Sequence, residues 1–228
     1  RSNKKLWLRT GHGRLLWRSR DTLDIEPEIN EWIKSFKKND VFYDIGANIG
    51  VYSLFSSKLK NIRTYAFEPD LMNARIMYEN IIKNDVSDLV TIFPVALADR
   101  SYSADLYLKT LSYGDALHNL DKKNDMVTDI NEAKILIPAF SLDHLVDTLN
   151  LDKPTKMKID VDGIEYRVIQ GANNSLDNVR ELIIEWTREE NQHVQILDFL
   201  EKKGFKLQWE SEPHNSYSGT VNALLTKK

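Results

Sequence analysis

The 228-residue chain contains no cysteine. Disulfides, thiolate metal centres and cysteine nucleophiles are therefore excluded. The absence also fits a reducing compartment, so a cytoplasmic location is expected. No apolar run approaches the ~20 residues that span a bilayer, and no secretory leader is visible. The first residue is Arg1 rather than Met, which is compatible with a domain of a longer protein. Charge of one sign is not in excess: 31 basic residues face 34 acidic ones, for a net charge of −3. Such a balance exerts no global pull on nucleic acid. One local imbalance stands out in residues 1–20, where Arg1, Lys4, Lys5, Arg9, Arg14, Arg18 and Arg20 precede the first acid, Asp21. A solvated edge is the default reading, and a patch for a phosphate-bearing substrate is the competing one.

Hydrophobic spacing divides the rest into short elements. Leu6–Leu8 and Arg14–Trp17, joined by Gly11-His12-Gly13, read as a hairpin. Pro27 opens a helix with Ile29, Ile33 and Phe36 on one face. Together these form an expected cap, residues 1–38, on a single domain spanning 39–228. Strands follow at Val41–Ile45, Arg63–Glu68 and Leu89–Val95, with intervening helices at Val51–Leu59 and from an Asp70 cap to Asn84. Residues 99–140 break the rhythm: two strands, Ala104–Lys109 and Lys134–Phe140, flank a polar stretch, Tyr113–Thr128, of the kind that forms functional loops. Ser141 caps a helix to Leu149; a strand at Thr155–Val161, a helix at Glu165–Gly171 and a strand at Glu181–Trp186 follow. A helix over Glu190–Lys203, with Val194, Leu197 and Leu200 inward, precedes two strands, Phe205–Glu210 and Thr220–Thr226. The short link between those two makes them antiparallel. The pattern predicts an α/β, Rossmann-like fold: a mostly parallel sheet with helices on both faces.

The sharpest motif is Asp44-Ile45-Gly46-Ala47-Asn48-Ile49-Gly50, at the end of the first central strand. Ligands on such sheets bind at the carboxyl ends of the strands. Gly46 permits a sharp turn and Gly50 close helix packing. The second strand ends in Phe67-Glu68-Pro69, placing an acid where ribose hydroxyls are bound, 24 positions after Asp44. A dinucleotide site would favour Gly-x-Gly-x-x-Gly, yet the middle position is Asn48 and an acid begins the turn. A carboxylate there repels pyrophosphate and suits the ammonium and sulfonium of S-adenosylmethionine. No Gly-Lys-Ser/Thr follows, so a P-loop is excluded.

At the fourth central strand, Lys158 and Asp160 share one side, and Asp160, Asp162 and Glu165 cluster at its end. Glu185 ends the next strand. These four carboxylates are the candidate catalytic groups, since an alcohol acceptor must lose a proton. The bland readings are a turn at Asp162-Gly163 and a helix-start preference for Glu165. Carboxylates in such number could also hold Mg²⁺ or Ca²⁺, a reading not favoured here. His12, His118, His144, His193 and His214 show no metal-ligand spacing. Trp186 and Tyr52 read first as packing residues.

These segments, together with Val95-Ala96-Leu97-Ala98-Asp99, Ser141-Leu142-Asp143, Lys158-Ile159-Asp160-Val161-Asp162-Gly163-Ile164-Glu165 and Gly171-Ala172, resemble the FkbM family of methyltransferases over roughly residues 40–190. The resemblance implies a class I methyltransferase fold of seven strands with the last antiparallel. It implies S-adenosylmethionine held by Asp44, Gly46, Ala47, Asn48, Gly50, Glu68, Pro69 and Asp160, with adenine near Ala96 and Leu97 and S-adenosylhomocysteine as product. Family members commonly O-methylate sugars, glycolipids, polysaccharides or polyketide hydroxyls. Some sit beside or are fused to glycosyltransferases. Asp162 departs from the family pattern, which usually has Glu there.

The expected function is O-methylation of a sugar hydroxyl in a glycan or glycoconjugate. Competing readings are a polyketide or other natural-product O-methyltransferase, an NAD-dependent oxidoreductase or epimerase, and a non-catalytic scaffold. The absence of Gly-x-Gly-x-x-Gly and of Tyr-x-x-x-Lys argues against the oxidoreductase, and the absence of an Asn/Asp-Pro-Pro-aromatic motif against nucleic-acid methylation.

Overall fold

The computed structural model describes residues 6–9, 26–108, 119–121, 133–188, 191–213 and 219–227. In chain order the elements are α1 (Pro27–Ser35), β1 (Val41–Ile45), α2 (Val51–Lys60), β2 (Arg63–Phe67), α3 (Leu71–Lys83), β3 (Val90–Phe93), β4 (Ala96–Leu97), β5 (Tyr102–Leu108) and β6 (Asn119–Leu120). Then come β7 (Ala133–Phe140), α4 (Leu142–Leu149), β8 (Lys156–Ile159), α5 (Glu165–Gly171), a 3-10 turn at Ser175–Asp177, β9 (Glu181–Thr187), α6 (Asn191–Lys202), β10 (Lys206–Glu210) and β11 (Thr220–Thr226).

Seven strands form the main sheet in the order β10-β11-β9-β8-β1-β2-β3. β1 pairs in parallel with β2 and β8, while β11 runs antiparallel to both β9 and β10. This is the class I methyltransferase arrangement, with the last strand reversed. β1 sits centrally, and its alternation sends successive side chains to opposite layers. Phe42 joins Ile29, Ile33 and Phe36 of the α1 layer; Tyr43 and Ile45 join Val168, Ile169 and Leu200 on the other face. Each such fully buried side chain contributes about 1.5–3 kcal/mol.

Most expected elements recur within a residue or two, including the Asp70 cap, whose side chain accepts from the Met72 amide. Three readings need correction. Leu6–Arg9 form no strand; side-chain amides of α3 satisfy this backbone instead, Asn84 Oδ1 accepting from Trp7 N at 2.8 Å and Asn80 Oδ1 from Arg9 N at 2.7 Å. The rest of the expected hairpin, and residues 113–118 and 122–128 of the polar stretch, lie outside the described residues. The third strand stops at Phe93, because Ala96–Leu97 leaves it to pair with β7 in a second, four-stranded sheet, β4-β7-β5-β6. On α6, Val194 is largely exposed, and Ile196 and Leu200 take the inward face.

Several motif residues serve packing. A Cβ on Gly171 would lie 2.0 Å from the Ala98 carbonyl oxygen, so only glycine lets the end of α5 press on this segment. Asp143 accepts from the amides of Asn174 and Ser175, each at 2.8 Å, and so caps the 3-10 turn. Arg167 of α5 reaches the second sheet, donating to Asp99 at 2.8 Å and to the Tyr102 hydroxyl at 2.7 Å.

Candidate active site

A cleft opens at the carboxyl ends of β1, β2 and β8, with an empty volume of about 730 Å³ including space open to solvent. Its first half is shaped by backbone. Gly46 turns the chain at φ 79°, and its amide and that of Ala47 both donate to the Phe67 carbonyl at 3.0 Å. A Cβ on Gly46 would stand 1.7 Å from the Asp160 carbonyl oxygen. Gly50, at φ 81°, precedes α2 and leaves room for Met77. Glu68 clamps this loop: one carboxylate oxygen accepts from Asn48 N at 2.7 Å, the other from Asp70 N at 2.9 Å. Apolar walls come from Phe67 and Val95, with Leu97, Leu106 and Leu120 contributed by the second sheet.

Of the residues expected at the cofactor, Gly46, Asn48, Glu68, Pro69, Ala96, Leu97 and Asp160 line this cleft. Asp44, Ala47 and Gly50 are not among the lining residues. Asp44 is buried, and its Oδ2 accepts from Ser53 Oγ at 2.6 Å, while Oδ1 has no hydrogen-bond partner. Burial pushes the Asp44 carboxyl upward, opposed by the nearby charge of Lys158.

The second half is built from charge. Lys158 is only 2% exposed, and its Nζ lies 2.7 Å from Asp160 Oδ2 and 5.3 Å from the Tyr52 ring centroid. Burial alone would lower the Lys158 ammonium; Asp160, Asp44 and Glu26 together outweigh it and hold the pKa above its ordinary value. Tyr52 donates its hydroxyl to Glu26, and Asn222 Nδ2 donates to Glu26 Oε1 at 2.7 Å. Glu185 is raised well above its ordinary value by burial and by the charge of Asp160. Glu165 accepts from Gly163 N at 2.9 Å and from Gln192 Nε2 at 2.7 Å; burial pushes its pKa up to about 7.

Asp160 and Asp162 therefore line the cleft, whereas Glu165 and Glu185 are not among its lining residues. Glu26 and Asn222 join this group from opposite ends of the chain, where no spacing signal could have found them. Lys158 was signalled only by its alternation with Asp160. Tyr52 and Trp186 are packed and buried, and the Trp186 indole donates to Glu210 at 2.9 Å. His144 stacks on Phe140 and His193 lies by Trp186; His12, His118 and His214 fall outside the described residues. Among the described residues no group of three or more His, Asp or Glu is arranged to hold a metal ion.

A glycine-floored turn, a buried carboxylate at the end of the second strand and an apolar slot beside them suit a nucleoside, and the flanking carboxylates suit a cation attached to it. The Methyltransferase FkbM domain family matches residues 44–207, most of the chain. The chain belongs to the FkbM methyltransferase family. Its methyl donor is S-adenosylmethionine. Hexuronic acid methyltransferase AglP of Haloferax volcanii is 26% identical over 171 residues, covering 75% of this chain and 65% of that protein. The chain thus spans about two-thirds of that relative's length.

Solved structures share the fold. Methyltransferase FkbM from Methylobacillus flagellatus superposes with a TM-score of 0.54 at 16% identity, over 94% of this chain and 56% of that one. A candidate tRNA methyltransferase from Streptococcus pneumoniae, solved with S-adenosyl-L-methionine, gives a TM-score of 0.54 at 11% identity, over 88% of this chain and 72% of that one. No helix among the described residues is long and apolar enough to cross a membrane.

Proposed function

We propose that this protein O-methylates a hydroxyl of a sugar in a glycan or glycoconjugate. The observation that carries the reading is Asp160 at the cleft wall, gripped by Lys158 and next to the glycine turn at Gly46. Similarity to a protein named as a hexuronic acid methyltransferase supports a sugar acceptor.

The donor supplies, when bound, an electrophilic methyl group on a positively charged sulfur. Glu68 would take the ribose hydroxyls on lone pairs not used by Asn48 N and Asp70 N. Ala96, Leu97 and Pro69 would flank adenine, and Asn48 the remaining backbone edge. Asp160 would accept the acceptor hydroxyl's proton, leaving that oxygen's electron pair free for the methyl group that the donor would supply. Asp162, held at φ 51° at the rim, orients neighbouring hydroxyls. Glu165 and Glu185, both raised by burial, shape the field around Asp160. Holding the hydroxyl in line supplies much of the rate, since alignment removes several kcal/mol of barrier, roughly 7–11 at best. Glu26, just ahead of α1, joins the group through its bonds with Tyr52 and Asn222.

The test is transfer of labelled methyl to uronic-acid oligosaccharides, neutral oligosaccharides and polyketide alcohols in parallel. Transfer to a sugar hydroxyl, lost in Asp160→Asn, is the expected result; transfer confined to the polyketide alcohols overturns it. In calorimetry, Glu68→Ala should weaken S-adenosylhomocysteine by ~10–100-fold, the loss of hydrogen bonds to a charged acceptor.

A further inference from the structure

We propose that Lys158 is a positioning residue for methyl transfer: its ammonium fixes the Asp160 carboxylate, ionised, at the wall of the cleft. The inference deepens the reading of Asp160 given above and rests on it for the catalytic use of that carboxylate.

Lys158 occupies the middle of the sheet, paired in register with Asp44 of β1 and Ile183 of β9. Strands buried on both faces are normally apolar, and an ammonium there is costly unless paired. A leucine would fill the space at lower cost. The other lysine of the strand gives the contrast. Lys156 stands at the strand's start, pairs with Glu181 and lies over the Phe36 ring, far from the cleft. Lys158 instead turns to the strand's carboxyl end and holds Asp160 Oδ2 at 2.7 Å. Asp160 is about a third exposed and lines the cleft, so one carboxylate is anchored on its buried side and presented on the other.

Charges face this pair from every side: Asp44 on β1, Glu185 on β9, Asp162 after β8, and Glu26 ahead of α1, with the Tyr52 hydroxyl of α2 bonded to Glu26. All but the tyrosine are acids. With the ammonium gone, their mutual repulsion is relieved by taking up protons. A protonated Asp160 cannot accept the acceptor's proton. Arginine keeps the charge; methionine and glutamine do not.

Carboxyl-¹³C NMR on the intact chain tests this without an acceptor, with the Asp160 resonance identified by its loss in Asp160→Asn. In Lys158→Met and Lys158→Gln the Asp160 titration midpoint should rise by about one pH unit or more, a tenfold change in the proton equilibrium. Lys158→Arg should hold it within a few tenths of a unit. The acid limb of the kcat profile should move by the same amount while KM for the donor stays within about twofold. Melting curves and S-adenosylhomocysteine titrations establish that each variant is folded. Should both neutral variants fail to fold, the Lys158 ¹⁵Nζ resonance of the unmutated protein decides: it must step at the pH where Asp160 titrates. An unmoved Asp160 midpoint in a folded variant, or no such step, overturns the proposal. A moved midpoint without methyl transfer to any sugar leaves Lys158 in place and removes the sugar acceptor instead.

Discussion

The two halves of the cleft are made in opposite ways. The half proposed for the donor is a matter of backbone: a turn at Gly46, amides bonded to the Phe67 carbonyl, and one carboxylate, Glu68, accepting two amides. The half proposed for the acceptor is a matter of side chains: one ammonium among acids drawn from β1, β9, the turn after β8 and the segment before α1. Backbone geometry tolerates no added atom, whereas a charge group tolerates substitution if its balance survives. The first half is therefore brittle to shape and the second to charge.

The largest effect should separate two glycines of like conformation. Gly46→Ala drives a methyl group into the Asp160 carbonyl, and we expect S-adenosylhomocysteine binding to fall at least ~100-fold in calorimetry, or the fold to be lost. Gly163 also has positive φ, but a Cβ there meets nothing within 4 Å. Gly163→Ala should cost only the backbone strain, about 1–3 kcal/mol in chemical denaturation, with binding retained. Equal losses in both would erase the distinction between crowding and conformation.

Next in size is a pH effect from the charged half. Folded Glu165 stays protonated up to about pH 7, while unfolded it ionises near its ordinary value of 4.5. Between these limits the folded state binds more protons, so its stability falls as pH rises, by up to ~3 kcal/mol. Glu165→Gln should flatten this slope in melting experiments between pH 5 and 8. Some slope should persist, because burial raises Asp44 and Glu185 in the same sense. A slope as steep as before would show that Glu165 is ionised in the folded protein.

The smallest effect tests a motif residue away from both halves. Asp143→Ala removes the cap on the 3-10 turn and should lower stability by ~1–2 kcal/mol, leaving donor affinity unchanged. A change in affinity would extend the site to α4.

The same contrast explains what could be read from sequence. The donor half lies in two short contiguous segments, so glycine placement and strand ends revealed Gly46, Asn48, Glu68 and the strands that carry them. The acceptor half joins residues 26, 52, 158, 160, 185 and 222, and no local periodicity relates Glu26 to Asn222. The second sheet escaped notice as a sheet because β4 has two residues and its pairing with β7 spans more than forty positions. A helix with apolar residues at 194, 196, 197 and 200 admits two inward faces, and only packing against Phe205 and its neighbours turns Val194 outward.

The reversed strand carries a consequence for how the molecule is made. β11 lies between β9 and β10, and Thr187 meets Thr220 across 33 positions of chain. During synthesis β9 waits as an open edge, with Leu182, Ile184 and Trp186 making one face apolar, until Thr226 has emerged. The nascent chain must shield that edge until then, because an unpaired apolar strand invites pairing with a neighbour. Any truncation before Thr220 would leave that exposure permanent, so such fragments should aggregate rather than bind the donor weakly.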